Sequence, residues 1–194
     1  MAGRELRSDA VANRDRIVDA ARVELSKSNG AIADLKLHAI AKAASVGQGT
    51  LYRHFPTREH LLAEVYRSEL TQLVEAVAPL LAEHPPVEAL IRWLARLVEY
   101  ARVKRGVMAA IEASAWHDLY SDQHHRLDEA LGRLLDAGKA AGEVREDIDA
   151  TDMILLLGAL SRIPEAEWDA RAPRVVAVIV DGLRPNRGAR QPVG

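Results

Sequence analysis

Nowhere in this 194-residue chain do polar and apolar residues alternate for long enough to build one face of a β-sheet. That constrains the fold more than any single motif, because a sheet without such a face has nothing to bury. What recurs instead is apolar spacing of three and four, in segments rich in Ala, Leu, Glu and Arg, which enter helices readily. The sequence therefore predicts an all-α fold of about nine helices. The run Val175 to Val180 has strand propensity, but it has no partner strand. Val175, Ile179 and Leu183 also fall at helical spacing, so this run is read as helix.

Breakers and caps place helices over about 9–28, 37–44, 48–55, 58–82, 87–103, 105–116, 122–141, 149–163 and 169–184. Val11, Ile17, Val18, Ala21 and Leu25 form the apolar stripe of the first, which Asn29-Gly30 should end. Pro56 closes the third helix, Thr57 can cap the fourth, and Pro85-Pro86 breaks the fourth from the fifth. Residues 185–194 are expected to be a flexible tail.

The chain has no cysteine, which excludes disulfide scaffolds, thiolate metal sites and thiol catalysis. No apolar run approaches the roughly 18 residues of a membrane span, and the N-terminus lacks the apolar run of a secretory signal. A soluble cytoplasmic protein without a membrane partner is the expectation. The net charge of −2 hides an asymmetry. Residues 1–60 carry ten basic and seven acidic groups, a net of +3, whereas 61–194 carry a net of −5. A basic N-terminal third points to a polyanionic partner on that part alone.

Residues 37–55 read as two short helices joined by a tight turn, a helix-turn-helix. Ile40, Val46, Leu51 and Phe55 are the apolar set that would pack the pair, and Ala41 and Ala44 are small where backbones must approach. With Leu51 and Phe55 turned inward, a helical wheel sends Gly49, Thr50 and Arg53 outward. Tyr52 and His54 fall on the flanks, and Gln48 sits at the N-terminal tip. Gln suits adenine, Arg suits guanine, and a Thr methyl suits the thymine methyl. Gly49 removes a side chain where backbone and DNA would come closest. Thr57 and Arg58 open the next helix, where backbone N–H groups and a guanidinium can meet one phosphate.

These residues resemble the DNA-binding domain of the tetracycline-repressor (TetR) family of bacterial transcriptional regulators. The resemblance runs from about Asn13 to Val65 and is carried by Ile40-Ala41, Val46 to Glu59 and Leu61-Leu62. It implies DNA-contact roles for Gln48, Gly49, Thr50, Tyr52, Arg53, His54 and Arg58, with Thr57 beside them and Lys36 and Lys42 as phosphate candidates. Ser45 departs from the family's usual turn Gly; if left-handed, it carries a cost on the order of 1 kcal/mol. Lys36 or Leu37 stands where a capping Ser or Thr is usual, leaving Asp34 as a possible cap.

The resemblance further implies a DNA-binding domain over 1–60 and a helical effector-binding and dimerisation domain over 61–184. The function expected is that of a dimeric repressor released from operator DNA by a small-molecule effector, with no cofactor. Dimers also follow from the short reach of one recognition helix, since two half-sites about 34–36 Å apart supply specificity. Met153, Leu157, Leu160, Val176, Ile179, Val180 and Leu183 are the expected interface, having more apolar surface than one core stripe requires. Candidate effector-lining residues are Trp93, Leu97, Tyr100, Met108, Ile111, Glu112, Trp116, His117, Leu127 and Leu156, each with core packing as the alternative.

Two rival readings stand beside this one. His117, His124 and Asp128, with His125 beside them, have spacings that zinc can use, which would make a metal-responsive regulator. A helical protein-interaction module without DNA binding is the other. Catalysis is not expected, because no nucleophile elbow, phosphate loop or paired-carboxylate site frames Ser114, His117 or Ser121.

Overall fold

A computed structural model describes residues 2–27, 36–110 and 113–185; the side chains of 2–8, 26–27, 106, 108–110 and 113–124 fall outside the description. The described residues are helical and contain no strand. In chain order the helices are α1 Ala2–Lys27, α2 Leu37–Ala43, α3 Gln48–His54, α4 Arg58–Glu75, α5 Val77–Glu83, α6 Pro86–Ala110, α7 Ala113–Ala140, α8 Ala150–Leu157 and α9 Trp168–Gly182. Short 3-10 turns over Gly158–Arg162 and Glu165–Glu167 lie between α8 and α9. The Val175 to Val180 run is helix, as its spacing required.

Several expected boundaries moved: α1 starts at Ala2 rather than near residue 9, and the helix expected over 149–163 tightens into a 3-10 turn after Leu157. The helix expected over 58–82 is interrupted at Ala76, because Pro79 has no N–H to give the Glu75 carbonyl and its ring crowds that oxygen. The helices expected over 87–103 and 105–116 run together into α6, since one Gly106 costs only about 1 kcal/mol against Ala and does not stop a helix. Helix α7 begins at Ala113, so Ser121-Asp122 lies inside it. Cap residues mark where a helix can start, not where it must. Asp149 does cap: it accepts from Asp152 N at 2.9 Å, and Asp152 accepts from Asp149 N at 3.1 Å, a reciprocal capping box. The expected stop at Asn29-Gly30, the possible cap Asp34 and the tail 186–194 lie outside the described residues.

The chain divides into two compact units. One comprises Met1–Thr71 with Tyr100–Asp122, the other Gln72–Glu99 with Gln123–Gly194. In the first, α1 turns Ile17, Val18, Ala21 and Leu25 inward, α2 Ile40 and Ala41, α3 Leu51, and α4 Leu61, Leu62 and Val65, all at 5% exposure or less. Val11, expected on the α1 stripe, is exposed. Ion pairs tie α1 to α4 at its rim: Arg14 to Glu64 at 2.5 Å and Arg22 to Glu69 at 3.6 Å. Deeper in the same unit, the Tyr100 hydroxyl donates to that of Tyr66 at 2.8 Å.

In the second unit Trp93 is fully buried and its indole N–H donates to the Leu73 carbonyl at 2.8 Å, satisfying its polar atom. Leu90, Leu94, Leu131, Leu134 and Leu135 are buried with it. The Arg145 N–H donates to the Leu183 carbonyl at 2.9 Å, which secures the C-terminal end of α9.

Candidate nucleic-acid interface

Helix α3 is seven residues long, too short to persist alone, so its position depends on burial. Leu51 and the following Phe55 are 1% and 2% exposed, and the Arg14 guanidinium carbon lies 5.3 Å from the Phe55 ring centre. At the other end, the Gly47 carbonyl accepts from Thr50 N at 2.9 Å and Leu51 N at 3.1 Å. The turn before it closes through Val46 N to Ala41 O at 3.0 Å and Ser45 N to Lys42 O at 3.1 Å. Ser45 has φ +56°, the left-handed conformation its place in the turn foreshadowed.

Fixing that inner face leaves the outer one open. Gln48, Gly49, Tyr52 and Arg53 are exposed, and Thr50 and His54 half-buried. Arg53 folds back along the helix, its Nε donating to Gly49 O and its Nη2 to Thr50 Oγ1, each at 3.2 Å. A Cβ added at Gly49 would meet nothing within 4 Å, so none of the described residues requires glycine there.

The flanking residues divide. Lys36 and Lys42 are exposed, and Lys36 starts α2 with no side-chain cap, as the missing Ser or Thr implied. Thr57 caps α4, accepting from His60 N at 3.4 Å, and its hydroxyl lies 2.8 Å from His60 Nδ1. Arg58 differs from the phosphate-facing picture. Its Nε and Nη2 are buried without a hydrogen-bond partner, so these two donors do not face a phosphate.

One residue the helical wheel of α3 missed is His38. It lines, with Leu37, Gln48, Leu51 and Tyr52, a cleft of about 480 Å³ between the start of α2 and α3. A wheel of α2 with Ile40 and Ala41 inward puts His38 and Lys42 four residues apart on the outward row. That outward row is legible in the sequence of α2, but it lies outside a wheel drawn on α3 alone.

Of the other candidates, Trp93, Leu97 and Leu127 are buried in the second unit and Tyr100 in the first, whereas Leu156 is 47% exposed. Ile111 and Glu112 lie outside the described residues, as do the side chains of Met108, Trp116, His117 and His124. Asp128 is half-buried, and His125 Nδ1 stands 3.3 Å from Glu129 on an exposed surface. The expected interface set needs correction. Met153, Leu157, Leu160, Val176, Ile179 and Leu183 are at most 9% exposed within the single chain, so they are its own core. The apolar side chains left outside on the same helices are Leu155, Leu156 and Val178, with Val180 half-buried.

A short helix anchored from behind, with a basic and hydrogen-bonding outer face and a tight turn before it, defines a helix-turn-helix DNA-binding protein. Comparison with known proteins makes this specific. Residues 17–65 match the family model for bacterial regulatory proteins of the tetR family, and residues 85–185 match the transcriptional regulator SbtR-like C-terminal domain. The chain belongs to the TetR family and is a DNA-binding transcriptional regulator rather than an enzyme. It is similar to a TetR regulator from Streptomyces coelicolor, 41% identical with a TM-score of 0.76, covering 89% of this chain and 99% of that one. A TetR regulator from Mycobacterium vanbaalenii is 31% identical with a TM-score of 0.69, covering 92% and 99%. The regulator UidR of Escherichia coli is 27% identical over 190 residues, 92% of this chain and 93% of UidR. Among the described residues no helix is long and apolar enough to cross a membrane.

Proposed function

We propose that this regulator is a cytoplasmic homodimeric repressor that lays α3 in the major groove and leaves its operator when a small molecule binds the C-terminal domain. The observation that carries the DNA half is the outer face of α3: Gln48, Gly49 and Arg53 exposed along one short helix whose other face is anchored by Leu51. Gln48 and Arg53 read base edges, Tyr52, His54, Lys36 and Lys42 meet phosphates on either side, and Thr57 with Arg58 meets one at the start of α4. His38 joins them from the α2 side of the cleft.

Release follows from how α4 is held. Leu61, Leu62 and Val65 are fully buried, and Glu64 and Glu69 pair with α1, so α4 and the helix-turn-helix respond as one body. An effector that favours another position of α4 alters the presentation of both recognition helices. A coupling of about 1–3 kcal/mol weakens operator binding about 5- to 150-fold. The effector-lining candidates kept are Trp93, Leu97 and Leu127, all buried within one unit; the exposure of Leu156 favours a place in the dimer contact instead.

The testing experiment is Gly49→Ala. Alanine adds up to about 1 kcal/mol of helix stability and meets no protein atom, so the variant folds at least as well as the parent. Its affinity for a duplex selected from random-sequence DNA is expected to fall at least about tenfold, because the methyl enters the space the DNA backbone or base edge occupies. Unchanged affinity would mean that α3 does not approach DNA at this residue.

A further inference from the structure

The chemistry of Arg53 depends on where its guanidinium is held. An arginine carries five N–H donors, and reading a guanine takes the end-on pair on Nη1 and Nη2 against O6 and N7. In this protein two other donors are already engaged. Nε–H goes to the Gly49 carbonyl and one Nη2–H to the Thr50 hydroxyl, both at 3.2 Å. Both acceptors lie three or four residues before Arg53, so the side chain lies along the helix toward its N-terminal end. The remaining Nη1 and Nη2 hydrogens keep the end-on fork available.

We propose that Thr50 is a positioning residue: its hydroxyl, with the Gly49 carbonyl, fixes the Arg53 fork in the orientation that reads one guanine. This rests on the reading that α3 lies in the major groove and deepens it by naming what sets specificity at one base pair. Thr50 is half-buried beside the exposed Arg53, and its hydroxyl accepts from the guanidinium on the outer surface of the helix. A pre-oriented fork discriminates better than a free one, since a mobile arginine settles for phosphates or other acceptors. The competing role for Thr50, a methyl packed on a thymine, uses the other branch of the same side chain.

The two branches separate cleanly by substitution. Thr50→Val keeps a methyl and removes the hydroxyl; Thr50→Ser keeps the hydroxyl and removes the methyl. Wild type, both variants, Arg53→Ala and the double variant Thr50→Val with Arg53→Ala are measured against a duplex selected from random-sequence DNA by the wild-type protein. Each is also measured on duplexes changed at the one pair where Arg53→Ala loses discrimination, and thermal melts establish that every variant is folded. Thr50→Val is expected to cut discrimination at that pair by about 3- to 10-fold, part of what a bidentate contact supplies, with the salt dependence unaltered. Thr50→Ser should stay within about twofold of wild type, and Thr50→Val should add nothing once Arg53 is alanine. Loss in Thr50→Ser with retention in Thr50→Val would assign the residue to a thymine methyl and overturn the proposal. So would equal loss in both, or wild-type discrimination in both. Arg53→Ala binding every duplex as wild type does would instead overturn the groove reading itself.

Discussion

The hydroxyls of Tyr66 on α4 and Tyr100 on α6 meet at 2.8 Å in the interior, with their rings 5.6 Å apart. Both residues are at most 5% exposed, so the hydrogen bond is made away from water. It ties the helix that leaves the helix-turn-helix to α6 within one compact unit. Tyr66→Phe or Tyr100→Phe should each cost about 0.5–1.5 kcal/mol in urea unfolding. The double variant should cost less than the two added together, since the second deletion finds the bond already gone. Additive losses would show that the two hydroxyls are energetically independent.

The Arg14–Glu64 pair predicts a pH dependence. The hydrogen bond from Arg14 holds the Glu64 carboxyl below its usual range; burial opposes this, and the charges of Arg14 and Arg67 add to it. A carboxyl depressed in the folded state stabilises above its unfolded pKa of about 4.3, and that contribution disappears as pH falls through the folded value. Arg14 is 42% exposed and Glu64 19%, so solvent screening keeps the contribution to about 1 kcal/mol or less. The stability gap between wild type and Glu64→Gln should therefore be level from pH 5 to 7 and narrow as pH falls toward 3. A gap that widens on acidification would reverse the sign of this argument.

Ser45 holds φ +56° on an exposed turn. A left-handed L-residue costs about 1–2 kcal/mol, and glycine returns roughly 0.5–1 kcal/mol of that as extra chain entropy lost on folding. Ser45→Gly should raise stability by up to about 1 kcal/mol, read as a higher denaturation midpoint with unchanged slope. A lower midpoint would mean that the serine side chain itself contributes to the turn.

On α8 and α9, Leu155 and Val178 are each 73% exposed while Met153 and Ile179 are buried. If the outer apolar face joins two copies, Leu155→Asp with Val178→Asp should give a folded monomer in analytical ultracentrifugation. Met153→Asp should instead lose helicity, because it places a charge in the chain's own core. A double variant that still sediments as a dimer would place the interface elsewhere.

Most of the recognition helix was legible in the sequence for a simple reason. Leu51 and Phe55 are spaced so that only one face can be buried, which dictates what the other face shows. The Val175 to Val180 helix was readable by the same spacing despite its strand propensity. The join of expected helices into α6 was not, because a single Gly106 and the absence of a proline leave the choice to the surroundings. Pro79 carries a local signal, since its missing N–H marks the break at Ala76.

By itself, then, the amino-acid order determined the helical class, the turn and the identity of the residues on the outer face of α3, since periodicity and caps act within a few residues of one another. Tertiary structure alone decided which apolar face of α8 and α9 is core, that two nitrogens of Arg58 are buried, and that His38 shares a cleft with Gln48 and Tyr52. These depend on which segments pack together across long stretches of chain. Met153 and Leu155 are equally apolar to a helical wheel, and only the packing of the folded chain tells them apart.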